Sequence, residues 1–258
     1  MAIASVLCSA SIIEFTIPQV VRLSQASQHP LAAAPLFPTR AALFGRMIAP
    51  QAAITLAQFA LVRELRGGLD RAVGPSALNL PVAYGAASVP FIAAKYNLII
   101  SSVYSHSGRT PPAALPWRET PLRAAAGFWK RNIAPGLAWS LLRDTGSVGG
   151  GIVLGPVVSR RLADATGSEA VTAPHRFAGG LLAGSCTGLA TQLFHNTALT
   201  AGRMAEAGGS LPGTAECMRR VLAEHGAKAL YVNFQWRVAI IALWTAILNA
   251  TDPFAVSR

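Results

Sequence analysis

The chain has 258 residues, of which 52% are hydrophobic and only 13% charged, and its mean hydropathy is +0.41. Ordinary soluble domains carry about 25% charged residues. The apolar content excludes disorder, and three distant cysteines, Cys8, Cys186 and Cys217, exclude a disulfide scaffold. The net charge of +11 sits between apolar runs, as at Arg118, Arg123, Lys130 and Arg131 and at Arg160 and Arg161, rather than along one stripe. That placement suits loops against anionic lipid and argues against nucleic acid. The class left standing is an integral membrane protein.

Six apolar segments are expected to span the bilayer: Ala2–Gln25, Met47–Arg66, Pro81–Ser105, Ile133–Val158, Arg176–Met204 and Leu230–Ala250. Each reaches about 20 residues, enough for a hydrocarbon core of about 30 Å. The first carries one acid, Glu14, and lacks the basic start and cleavage site of a signal peptide. The loops after the first, third and fifth segments are long and basic. Two of them contain amphipathic stretches, Pro116–Lys130 and Leu211–Glu224. In the second, Cys217, Met218, Val221 and Leu222 recur at helical spacing, which predicts a short helix lying in the interface. The loops after the second and fourth segments read as turns, at Gly67–Pro75 and Ala163–Pro174. The triple Gly149–Gly151 reads as a place of close packing.

Long helix, surface helix, second helix thus recurs three times. The repeats run from about residue 1 to 75, 76 to 170 and 171 to 258, in a single domain over 1–258. The predicted fold class is an all-α membrane protein of six transmembrane helices in three pseudo-repeats, with short surface helices on one side. Gly180, Gly184 and Gly188 fall on one helix face, where they permit close helix approach.

This layout resembles the mitochondrial carrier family. The resemblance is carried by Ala178-Gly-Gly-Leu-Leu-Ala-Gly-Ser-Cys-Thr-Gly188, by Pro212 to Gly226, and by Ala229-Leu-Tyr-Val-Asn-Phe234. Phe128-Trp-Lys-Arg-Asn-Ile-Ala-Pro135 and Ala42-Leu-Phe-Gly-Arg-Met-Ile-Ala-Pro50 are similar to the same turn in the other repeats. The resemblance implies six helices around a central cavity, a multi-pass place in the mitochondrial inner membrane, surface helices on the matrix side, and metabolite exchange by alternating access. It also implies a matrix gate of Pro-x-acid-x-x-base on each odd helix. This chain departs there: Pro18 is followed by Val20 and Leu23, and Pro90 by Ile92 and Lys95. The third repeat offers Asn196, Ala198 and Ala201. None of the three acids is present. Alternating access needs two states of comparable free energy, and Ala and Val supply no ion pair that distinguishes them.

Substrate-contact positions implied by the resemblance fall near Ile54, Trp139 and Ile240, all apolar. One helical turn of shift brings in Arg143 and Asp144 instead, and Arg237 is a further cavity candidate. Arg143 and Asp144 read more readily as a mutually satisfied pair, and Arg237 as a cap at a helix start near headgroups. By resemblance, helix starts near Arg46, Lys130 and Arg131 bind lipid phosphate, cardiolipin being the expected lipid. The five histidines are scattered, with no metal-ligand spacing, no phosphate loop and no catalytic motif. No enzyme activity, metal or cofactor is expected.

Two functions follow. The first is a carrier-like protein that has lost transport and serves as an accessory subunit of a larger inner-membrane assembly of respiratory type. The second is a divergent carrier exchanging an amino acid or carboxylate.

Overall fold

The structure, a computed structural model, describes residues 41–91, 134–206, 213–230 and 234–252. Nearly all of them are helical, and none of them lies in a strand. The described residues include seven α-helices besides a helical stretch at 79–91. They are α1 (Ala41–Val73), α2 (Ala134–Asp144), α3 (Gly150–Ala165), α4 (Ala173–Ala190), α5 (Gln192–Glu206), α6 (Thr214–His225) and α7 (Phe234–Thr251). One π turn, Thr145–Gly149, joins α2 to α3.

The expectation of six membrane spans is corrected here. Among the described residues no helix is long and apolar enough to cross a membrane. The causes are visible in four of the expected segments. The segment expected over Ile133–Val158 is divided by the π turn. The one expected over Arg176–Met204 is divided at Thr191, and its glycines and polar residues dilute it. The last, α7, has 18 residues and includes Gln235, Arg237 and Asn249. The helix holding Met47–Arg66 is long but carries Arg63, Glu64, Arg66, Asp70 and Arg71. The span expected over Ala2–Gln25 and the surface helix over Pro116–Lys130 lie outside the described residues.

The expected turns are also shorter than the sequence suggested. Helix α1 runs through Gly67 and Gly68 to Val73, supported by the Arg66–Asp70 pair at 3.7 Å, one helical turn apart. It ends at Gly74, whose φ of +88° few side-chain-bearing residues adopt. Asn79 then ties the turn shut, donating to Asp70 (2.7 Å) and to the Gly74 carbonyl (2.9 Å). The next turn begins only at Thr166. Thr172 starts α4, and its backbone N–H donates to His175 Nδ1 (3.2 Å), so a histidine fills the place usual for a capping acid.

Helices α3, α4 and α7 pack almost backbone to backbone. A Cβ on Gly180 would lie 2.7 Å from Ala246 Cα, on Gly184 2.8 Å from Ala242 Cα, and on Gly179 2.7 Å from Ser159 N. Thr245 Oγ1 donates to the Gly180 carbonyl (2.7 Å) and Asn249 Nδ2 to the Gly151 carbonyl (3.3 Å). A core of Phe59, Val62, Tyr84, Val148, Ile152, Trp244 and Leu248 attaches α1 and the 79–91 stretch to this half.

Helices α2, α5 and α6 form a second half, built from side chains. Trp139 stacks on Phe194 with ring centroids 5.8 Å apart, and its Nε1 donates to the Thr214 carbonyl (3.0 Å). The Thr197 hydroxyl lies 3.4 Å from Met218 Sδ. Helix α6 is amphipathic, with Cys217 and Val221 wholly buried. Its outer face carries the pairs Arg219–Glu216 (3.0 Å) and Arg220–Glu224 (3.5 Å).

The distribution of polarity is inverted. Thr55, Gln58, Ser159, Gln192, Thr197 and Thr245 are fully or almost fully buried, while Leu56, Val82, Leu154, Val157, Leu182 and Leu189 are exposed. Buried polar groups and clustered exposed apolar ones are the informative departures from ordinary burial.

Candidate functional site

Polar residues from five elements meet where the two halves join. Gln58 comes from α1, Tyr84 from the 79–91 stretch, Arg143 and Asp144 from the end of α2, His195 from α5 and Arg237 from α7.

Arg143 and Asp144 satisfy each other first. Arg143 Nε donates to Asp144 Oδ1 at 2.7 Å. The Ser147 hydroxyl donates to the Arg143 carbonyl (2.6 Å), which helps the π turn to form directly after the pair. Burial works against the Arg143 charge, but the adjacent Asp144 carboxylate outweighs it and raises the guanidinium pKa.

Arg237 is only 4% exposed. It donates to the Gly188 carbonyl, to Thr191 Oγ1 (2.7 Å) and to Gln192 Oε1 (3.4 Å). These acceptors are in the last turn of α4, at its C-cap Thr191 and at the first residue of α5, so Arg237 caps a helix C-terminus. A cation there satisfies carbonyls that have no partner within the helix and meets the negative end of its dipole. Burial, with Arg143 nearby, pushes its pKa down to about 9, so it stays cationic at neutral pH.

His195 differs from both arginines. Both its ring nitrogens are buried, and neither has a hydrogen-bond partner among the described residues. Burial, then the positive charges of Arg237 and Arg143, hold its pKa well below the ordinary imidazole value. It is therefore a neutral imidazole. Burial and the Asp144 charge likewise push the Tyr84 hydroxyl upward, so it stays protonated.

The structure thus brings Arg143, Asp144 and Arg237 together, and each is already engaged within the chain. Arg237 sits at a helix end deep in the fold rather than at a helix start near headgroups. Of the gate positions, Asn196 accepts from Gln192 Nε2 (3.1 Å), Ala198 is half-buried on α5, Ala201 lies further along α5, and Pro90 is exposed. Pro18, Val20, Leu23, Ile92 and Lys95 lie outside the described residues, as do Lys130 and Arg131. Arg46 falls in α1. Gly180 and Gly184 lie against α7, and Gly188 supplies the carbonyl that Arg237 caps. Among the described residues no three His, Cys, Asp or Glu side chains gather as a metal site.

Sequence reasoning passed over Gln58 and Tyr84 and set His195 aside as a lone histidine. Their signal was a polar atom inside an apolar run, which does not say whether that atom faces inward. No protein family, curated protein or solved structure matches the chain. The carrier resemblance therefore rests on the motifs quoted above.

Proposed function

We propose that this chain is a structural, non-transporting subunit of a larger assembly at the mitochondrial inner membrane. The observation that carries this reading is the engagement of the candidate substrate residues. Arg143 is bonded to Asp144, and Arg237 to the broken end of α4. A solute that recruited Arg237 must compete with buried internal bonds, and one that recruited Arg143 with its half-buried pairing to Asp144. Each such bond to a charged group is worth about 1.5–3 kcal/mol.

The exterior supports the same reading. Leu154, Val157, Phe177, Leu181, Leu182, Leu189 and Leu243 are exposed on α3, α4 and α7. Apolar faces of this extent are ordinarily covered by another chain or by lipid. The inner-membrane location and cardiolipin as the proposed lipid come from the carrier resemblance, and the accessory role in a respiratory-type assembly comes from the missing gate acids and the apolar contact positions.

The competing reading, exchange of an amino acid or carboxylate, is favoured by one observation: His195 offers two buried nitrogens without hydrogen-bond partners among the described residues, beside two arginines. Uptake of radiolabelled amino acids and carboxylates into proteoliposomes separates the two. The structural reading predicts no saturable uptake. Saturable uptake that Arg143→Ala abolishes would replace it with the exchange reading.

A further inference from the structure

Two long helical rods break at the same level. One runs from 134 to 165 and is interrupted by the π turn Thr145–Gly149. The other runs from 173 to 206 and is interrupted at Thr191. The two breaks touch. Thr187 Oγ1 donates to the Ser147 carbonyl inside the π turn (2.8 Å), and a Cβ on Gly146 would lie 2.7 Å from Thr191 Cγ2. Gly149 fits against Pro81, where a Cβ would come within 2.7 Å of Pro81 Cα.

The packing follows this division. Among the described elements, α3 packs on α4 and α7, while α5 packs on α2 and α6. Between the two sets, the packing runs through the π turn and through α4 and α5, which are consecutive. Helix α1 and the 79–91 stretch reach the first set through Phe59, Val62 and Tyr84, and the stretch also meets α2, since a Cβ on Gly85 would lie 3.2 Å from Leu141 Cδ1. Arg237 bridges the second break, reaching Gly188 and Thr191 on one side and Gln192 on the other.

π turns and helix ends are where helical rods bend, because a few residues there absorb the change in backbone angle. Two such points side by side define an axis. Packing so close that a Cβ on Gly179, Gly180 or Gly184 would fall within 3 Å of the facing backbone makes the α3–α4–α7 half resistant to internal rearrangement. We propose that the paired breaks form a hinge on which α2, α5 and α6 pivot as one body against α3, α4 and α7, with Arg237 as the latch that holds the hinge in the conformation seen here. This goes beyond the structural-subunit reading and stands or falls separately from it. A subunit that swings can follow a moving partner without transporting anything.

Pulsed electron-electron distance measurements on the full chain test this. Cys8 and Cys186 are replaced by serine, and the fully buried Cys217 is kept. One spin-labelled pair crosses the hinge, at Ala165→Cys and Ala223→Cys, both exposed. A control pair lies within one half, at Ala165→Cys and Leu243→Cys. The parent protein should give one narrow distance for each pair. Arg237→Met should broaden the crossing distribution at least twofold or add a second distance, and leave the control pair narrow. Thr187→Val, which removes the bond across the breaks, should act in the same direction and decides the matter if Arg237→Met does not fold. A crossing distribution unchanged in the folded variants would overturn the hinge. So would equal broadening of both pairs, which marks general loosening.

Discussion

The two halves of this molecule are held together by different means. In α3, α4 and α7 the backbones touch, and glycines at 151, 155, 179, 180 and 184 leave no room for a side chain. In α2, α5 and α6 the contacts are made by large side chains, chiefly Trp139 on Phe194, with α6 laid on through Cys217 and Val221. The first kind of contact tolerates almost no added volume. The second tolerates substitution of similar shape, because flexible side chains can repack. Polar groups that neither half can hold alone gather at the boundary between them.

Substitutions should therefore separate the halves by size of effect. Gly184→Val places methyl groups against the Ala242 backbone and should cost about 3 kcal/mol, read as a fall in the denaturation midpoint. A loss below about 0.5 kcal/mol would show that α4 and α7 are not in backbone contact.

The boundary should respond to acid. The folded chain holds His195 neutral, whereas the unfolded chain takes up its proton below about pH 6.5. His195 thus contributes nothing to pH dependence above that value. Stability falls as pH drops below it, by up to about 1.4 kcal/mol per pH unit. Urea midpoints at pH 7.5 and 5.5 should differ less in His195→Leu than in the parent. Equal differences would remove His195 from the buried boundary.

Trp139→Phe keeps the stack but removes the donor to Thr214, and should cost about 1 kcal/mol. Hydrogen exchange should quicken in α6 and remain unaltered in α7. Faster exchange in both would mean that the halves are not separate. The smallest effect belongs to the exposed pair on α6. Glu216→Ala should change stability by about 0.3 kcal/mol, and less at high salt.

Part of this organisation was legible in the sequence. The helical character was legible in the apolar runs, although their reading as membrane spans was not borne out, and the amphipathic α6 in the spacing of Cys217 and Val221. The run Gly149–Gly151 read as close packing, and Gly149 and Gly151 do lie against Pro81 and Thr245. The breaks were not legible. The π turn is fixed by Ser147 on the Arg143 carbonyl and by Thr187, forty residues away, on the Ser147 carbonyl. Neither contact has a local sequence signature. The same holds at Thr191, where the helix end is completed by Arg237 from α7. Hydropathy alone joined these pieces into long spans, because it averages over single polar residues such as Thr191 and Arg237. The Arg143–Asp144 pair was legible as a pair because the two are neighbours in the chain. Its approach to His195 and Tyr84 depends on tertiary packing.

The proposed function makes the chain part of a larger assembly. The direct measurement is a native gel of gently solubilised mitochondrial membranes, with this chain located by mass spectrometry. Comigration with a large respiratory-type complex is the predicted result, and the other peptides in that band would identify the partner. Migration only as a small species, under conditions that keep known complexes intact, would contradict the account.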